Sequence, residues 1–168
     1  MKLLIGLDIG TTALKAAVFD TAGKLLAVST QEYDLITPQV NYVEEEGEVY
    51  WNAFKHAVAD LKAKSPMGED DEAALAISAQ GETIFFLDKD GKDLRNAIVW
   101  MDNRAQEEAE FFKEKFGDEI CYKVTGQVSF EPCWPASKIL WVKNHEPEVF
   151  EKAQELRDAR RREKGEDS

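Results

Sequence analysis

Three apolar runs near the amino terminus, residues 3–9, 14–19 and 24–29, constrain the fold more than any other feature of this chain. They are separated only by Gly10-Thr11-Thr12 and by Asp20-Thr21-Ala22-Gly23. Connections this short join antiparallel neighbours, whereas a parallel crossover needs a dozen residues or more. The segment therefore reads as a three-stranded antiparallel meander.

The rest of the chain supplies helices and further strands. Val43 to Glu48 is an acidic lead-in, after which Val49, Trp51, Phe54, Val58 and Leu61 recur at roughly helical spacing until Ser65-Pro66. Ala73 to Ser78 reads as a short buried strand and Thr83 to Leu87 as another, followed by the tight turn Asp88-Lys89-Asp90-Gly91. A helix is expected over 103–116, stopped by Gly117, then a short one over 121–126 closed by Gly126, and a third over 135–144. This order predicts an α/β or mixed α+β layer fold without internal repeats. Residues 1–150 form the folded part. Residues 151–168, almost wholly charged or helix-favouring, form a tail that is helical or disordered.

The 33 acidic against 21 basic residues give a net charge of -12. That field repels nucleic-acid phosphates and anionic lipid, so no nucleic acid and no membrane is expected as partner. Arg160-Arg161-Arg162 has acidic neighbours and does not change this. An anionic nucleotide is still admissible where local donors and a metal ion overcome the field. Cys121 and Cys133 lack any metal-binding or disulfide spacing and read as reduced thiols. The leading apolar run is too short for a signal peptide, and Asp8 interrupts it. No segment reaches the roughly 18 apolar residues of a membrane span, so a cytoplasmic location is expected.

One loop carries chemistry. Asp8 ends the first apolar run and is followed by Ile9-Gly10-Thr11-Thr12, with Lys15 on the next strand. Gly10 allows a tight turn and close approach of the backbone, so that N–H groups and two hydroxyls can meet phosphate oxygens. Asp8 is the candidate Mg²⁺ ligand, directly or through water, because a hard cation prefers carboxylate oxygen and retains much of its hydration. A plain β-hairpin, in which Gly-Thr-Thr only makes the bend, is the competing reading. His56 sits in the first amphipathic helix and His145 before Glu146-Pro147. Neither supports a hydrolytic triad.

Residues 6–20 resemble the first phosphate motif of the actin, heat-shock chaperone ATPase and sugar kinase superfamily. Within it the chain resembles the FGGY carbohydrate kinases, which include xylulokinase-like and glycerol kinase-like enzymes. The stretches that carry this are Ile77-Ser78-Ala79-Gln80-Gly81-Glu82-Thr83, Asn96 to Arg104, Thr125-Gly126, Ser137-Lys138-Ile139-Leu140-Trp141 and Glu146-Pro147. The resemblance implies an α/β, ribonuclease H-like (actin-like ATPase) fold, a mixed sheet with helices that is incomplete, with 1–150 the amino-terminal part of the first kinase domain. It implies ATP and Mg²⁺ as cofactors and a small sugar or polyol as substrate.

It also implies roles for residues. Asp8, Gly10, Thr11, Thr12 and Lys15 would serve the nucleotide phosphates and Mg²⁺. Gln80, Gly81, Glu82, Trp100, Asp102 and Arg104 would serve the sugar or polyol. Gly81 departs from the methionine or arginine common in the family, which leaves the sugar open. Bland readings compete: Trp100 as core, and Asp102 with Arg104 as an N-cap and surface pair at a helix start. Cys133 or Trp134 would line the same pocket. No catalytic residue is expected in this chain, because the family's aspartate base and nucleotide-closing domain lie beyond residue 168; the 168 residues alone should have no turnover. An unpaired sheet edge would be open to homodimer pairing. The alternatives are a non-catalytic sugar-binding remnant and a nucleotide-binding module of the actin or chaperone type.

Overall fold

The computed structural model describes residues 1–68 and 70–153; the tail expected from Glu151 lies outside the described residues from 154 onward. In chain order the elements are β1 (Lys2–Ile9), β2 (Ala13–Asp20), β3 (Leu25–Glu32), β4 (Glu44–Glu45), α1 (Gly47–Lys64), β5 (Glu72–Ala79), β6 (Ala97–Ile98), α2 (Gln106–Thr125), α3 (Pro135–His145) and α4 (Pro147–Lys152). They fall into two compact units, one of Met1–Leu35 with Gly47–Gly81, the other of Ile36–Glu46 with the chain from Glu82 onward.

The first unit is a four-stranded mixed sheet in the order β3-β2-β1-β5. The meander forms as its short connections require: β1 runs antiparallel to β2, from Leu3 opposite Asp20 to Ile9 opposite Leu14, and β2 antiparallel to β3. The crossover through α1 returns β5 parallel to β1, with Ile9 beside Ala79. Alternation turns Leu3 and Leu7 of β1 and Leu14, Ala16 and Val18 of β2 inward. Four-residue spacing presents Ala53, Ala57 and Leu61 of α1 to the same core.

β5 is present but not buried. All eight of its residues are exposed, Leu75 and Ile77 included. Its apolar composition suggested burial, but burial of a sheet edge depends on a further element, and no strand pairs its outer edge among the described residues.

In the second unit β4 and β6 form a two-residue antiparallel ladder. The strand expected over 83–87 is reduced to isolated bridges, Ile84 with Ile98 and Leu87 with Asp93. The Asp88 side chain accepts from the N–H groups of Asp90 and Lys92, both at 2.9 Å, and so folds the chain back before a ladder can lengthen. α2 comprises the two helices expected around Gly117, which meet at a break there: Gly117 (φ 74°, ψ 159°) is not helical. Gly126 ends α2 in the left-handed conformation, its N–H bonded to the Tyr122 carbonyl at 2.9 Å. Ile84, Phe86, Ile98, Ala105, Trp141 and Val142 form this unit's core. No helix among the described residues is long and apolar enough to cross a membrane.

Candidate functional site

In the first unit the loop after β1 is held from several sides. The Gly10 N–H donates to the Ala13 carbonyl at 3.0 Å. A Cβ at Gly10 would sit 3.0 Å from that same oxygen, which is why glycine fits the bend. The Tyr33 hydroxyl donates to the Gly10 carbonyl at 2.7 Å, and the Tyr33 N–H to the Thr12 carbonyl at 3.0 Å. Thr12 lines a cleft of about 340 Å³ with Ala13, Glu32, Tyr33, Asp34 and Leu35. Asp8 and Lys15 stand opposite each other across the β1–β2 ladder, both exposed, and line one shallow groove with Gly6, Leu7, Ala16 and Ala17.

Gln80 leaves β5 at the same end of the sheet, its N–H donating to the Ile9 carbonyl at 2.8 Å. Its Nε2 donates to the Tyr50 hydroxyl at 2.9 Å, and the Tyr50 ring stands edge-on to Tyr33 at 5.3 Å. One aromatic pair thus fixes both the loop and the glutamine. Gln80 Oε1 is buried and has no donor among the described residues. Gly81 is exposed and meets open space where a side chain would be, so the larger residue of the family could be accommodated.

In the second unit Glu82 adopts a left-handed backbone, φ 64°. Mutual hydrogen bonds between Ile84 and Ile98, at 3.0 and 2.9 Å, clamp the segment after Glu82 against the segment before Trp100. The Trp100 N–H donates to Thr83 Oγ1 at 3.1 Å. Trp100 is 40% exposed and is not a core residue. Trp134 Nε1 is a buried donor with no acceptor among the described residues, and burial pushes the neighbouring Cys133 thiol pKa up.

Asp102 and Arg104 are not a surface pair, nor does either cap a helix: the position before α2 is Ala105, without a side-chain cap. Both are buried. Asp102 accepts from Arg104 Nε at 3.0 Å and Nη2 at 2.8 Å, and from the Val43 N–H at 2.6 Å. Arg104 Nη2 also donates to Glu44 at 2.7 Å, and Glu44 accepts from Arg95 at 2.5 Å. Burial alone would lower the Arg104 pKa, but its bonds to Asp102 and Glu44 outweigh that and raise it. The guanidinium lies 3.9 Å from the Tyr42 ring centre and 4.9 Å from that of Trp141. Such a network holds the backbone around Trp100 in place.

Lys138 is the residue that sequence reasoning passed over. It is wholly buried on α3, and its ammonium donates to the carbonyls of Glu82 at 3.1 Å, Val99 at 2.9 Å and Trp100 at 3.2 Å. Burial lowers its pKa to about 8, although Asp102, Cys133 and Glu82 pull the other way. The available signal was register: 138, 141, 142 and 145 share a helix face, and 141 and 142 are Trp and Val. Tyr33 and Tyr50 were missed because their partners are far away in sequence. His145 stacks on Trp141 at 4.7 Å and bonds to its carbonyl at 3.0 Å, a structural role.

No three His, Cys, Asp or Glu side chains converge on a point among the described residues. A cation at Asp8 would therefore complete its shell from water and phosphate oxygens, which suits Mg²⁺.

The family model described as the N-terminal domain of the FGGY family of carbohydrate kinases matches residues 3–158. The chain is 36% identical to a xylulose kinase of Bacillus subtilis over 152 residues, covering 90% of this chain and 30% of that one. It is 34% identical to a glycerol kinase of Thermococcus kodakarensis over 153 residues, covering 91% and 30%. Among solved structures it superimposes on a ligand-bound xylulose kinase of Lactobacillus acidophilus with a TM-score of 0.82 and 34% identity, covering 92% and 31%. The chain thus spans about three-tenths of the length of these relatives.

Proposed function

Because this chain belongs to the FGGY family of carbohydrate kinases, with their mixed-sheet, actin-like ATPase type of fold, we propose that its residues form part of an enzyme that transfers the γ-phosphate of ATP to a hydroxyl of a small sugar or polyol. The relatives' names, xylulose kinase and glycerol kinase, supply the acceptor candidates.

The observation that carries this is Gln80 Oε1, a buried acceptor without a donor among the described residues, beside a nitrogen fixed by Tyr50. A buried acceptor left unmet costs about 1–3 kcal/mol, and an acceptor hydroxyl would meet it. Within the second unit, Glu82 is the carboxylate suited to acceptor hydroxyls, and Trp100 has a half-exposed ring suited to the C–H side of an acceptor. Asp102 and Arg104 act on the acceptor only by fixing the backbone of Trp100. In the first unit Asp8 would hold Mg²⁺ through water, with Thr11, Thr12, the Gly10 turn and Lys15 toward the phosphates. When bound, ATP supplies the phosphoryl group and Mg²⁺ neutralises its charge.

The test is titration of the purified chain with glycerol and with D-xylulose. Glu82→Gln should weaken the preferred acceptor by about 10–100-fold, the worth of one charge-assisted hydrogen bond. Unchanged affinity would remove Glu82 from the site.

A further inference from the structure

Glu82 and Lys138 pose one question together. A non-glycine residue at φ 64° is strained, and such strain persists only where its surroundings over-determine it. A wholly buried ammonium is costly too, and it ordinarily faces a carboxylate. Here all three N–H directions of Lys138 end on main-chain carbonyls instead, at Glu82, Val99 and Trp100. Those carbonyls belong to the two segments that present Glu82 and Trp100.

We infer that Lys138 is a positioning residue for acceptor recognition: its ammonium ties the Glu82 carbonyl to those of Val99 and Trp100, and thereby holds Glu82 in the left-handed conformation that aims its carboxylate. This rests on the proposed acceptor role of Glu82. It also has a structural content that stands without that role. The three carbonyls come from two segments joined otherwise by the Ile84–Ile98 bridge and by the Thr83 hydroxyl. Those contacts fix residues 83 and 84. Only the Lys138 bond is made to residue 82 itself among the contacts described here.

Two measurements test it. The first is NMR of the chain without ligand. The Lys138 Hζ protons should exchange slowly enough to be observed, unlike those of surface lysines, and Lys138→Met should move the Glu82 Cα shift away from its left-handed value. Rapid exchange in the wild type, or an unmoved Glu82 in the variant, would overturn the inference, and the wild-type arm decides even where the variant does not fold.

The second is a double-variant cycle in affinity for glycerol and D-xylulose. Lys138→Met should weaken binding by about 10–100-fold in the wild-type background, but by less than about threefold once Glu82 is already Gln. Equal losses in both backgrounds would mean a general structural role and would overturn it. If the wild-type chain binds neither acceptor, the proposed function falls, and the NMR result alone decides whether Lys138 positions Glu82.

Discussion

At the scale of single residues, the groups that make this site cost stability. Glu82 occupies a conformation that penalises an L side chain by about 1–2 kcal/mol. Lys138 gives up hydration for three carbonyls, and its pKa falls from 10.5 to about 8. The sign of that shift makes a prediction. Between pH 8 and 10.5 the unfolded chain carries a proton on Lys138 that the folded chain has released, so stability rises with pH across that window. Below it both states are charged and the full penalty applies. Asp102, Cys133 and Glu82 favour the ammonium, and Arg104 opposes it. Thermal melts should therefore show the wild type gaining on Lys138→Met as pH rises from 8 toward 10.5. Parallel profiles would show that folding does not lower the Lys138 pKa.

At the scale of elements, what could be read in the sequence was whatever depends on near neighbours. The meander followed from apolar period and short turns, and α1 and α3 from helical spacing. Gly117 and Gly126 were both legible as helix breaks, because each takes a positive φ that interrupts the helical repeat. Loop glycine and loop threonines could be seen in advance; the tyrosines that hold them could not, since Tyr33 reaches Gly10 and Tyr50 reaches Gln80 only through the fold. Lys138 was legible only as a lysine on the buried face of α3, since its register matches Trp141 and Val142; its carbonyl partners were not, because they lie far away in sequence.

β5 shows the same limit from the other side: its apolar residues promised burial that the described residues do not provide. Leu75 and Ile77, with Trp51 and Phe54 of α1, line an apolar groove of about 440 Å³. An open strand edge beside such a surface pairs readily with another edge. The purified 168-residue chain should accordingly self-associate at high concentration, and Ile77→Lys should return it to the monomer in light scattering. A wild-type chain that stays monomeric throughout would show that this edge is protected.

At the scale of the whole molecule, the matched relatives are about three times longer, since this chain covers 30% of the first of them. Phosphoryl transfer needs an acceptor held in place, a nucleotide closed off from water and a base within reach of the attacking hydroxyl. The carboxylates described here are largely committed elsewhere: Asp102 to Arg104 and the Val43 N–H, Glu44 to two arginines, Glu146 to Arg95. Under the proposed function Glu82 serves acceptor hydroxyls and Asp8 serves Mg²⁺, which leaves neither as the base. The 168 residues alone should therefore bind the acceptor without turning it over, and a coupled ADP-release assay with glycerol or D-xylulose should stay at background. Turnover that survives purification and whose kcat at saturating acceptor is lost in Glu82→Gln would make Glu82 the base and displace its binding role. Turnover lost instead in Asp8→Asn would locate the active carboxylate at the loop. A background rate with measurable acceptor binding is the result that fits a chain in which recognition is built and phosphoryl transfer is not.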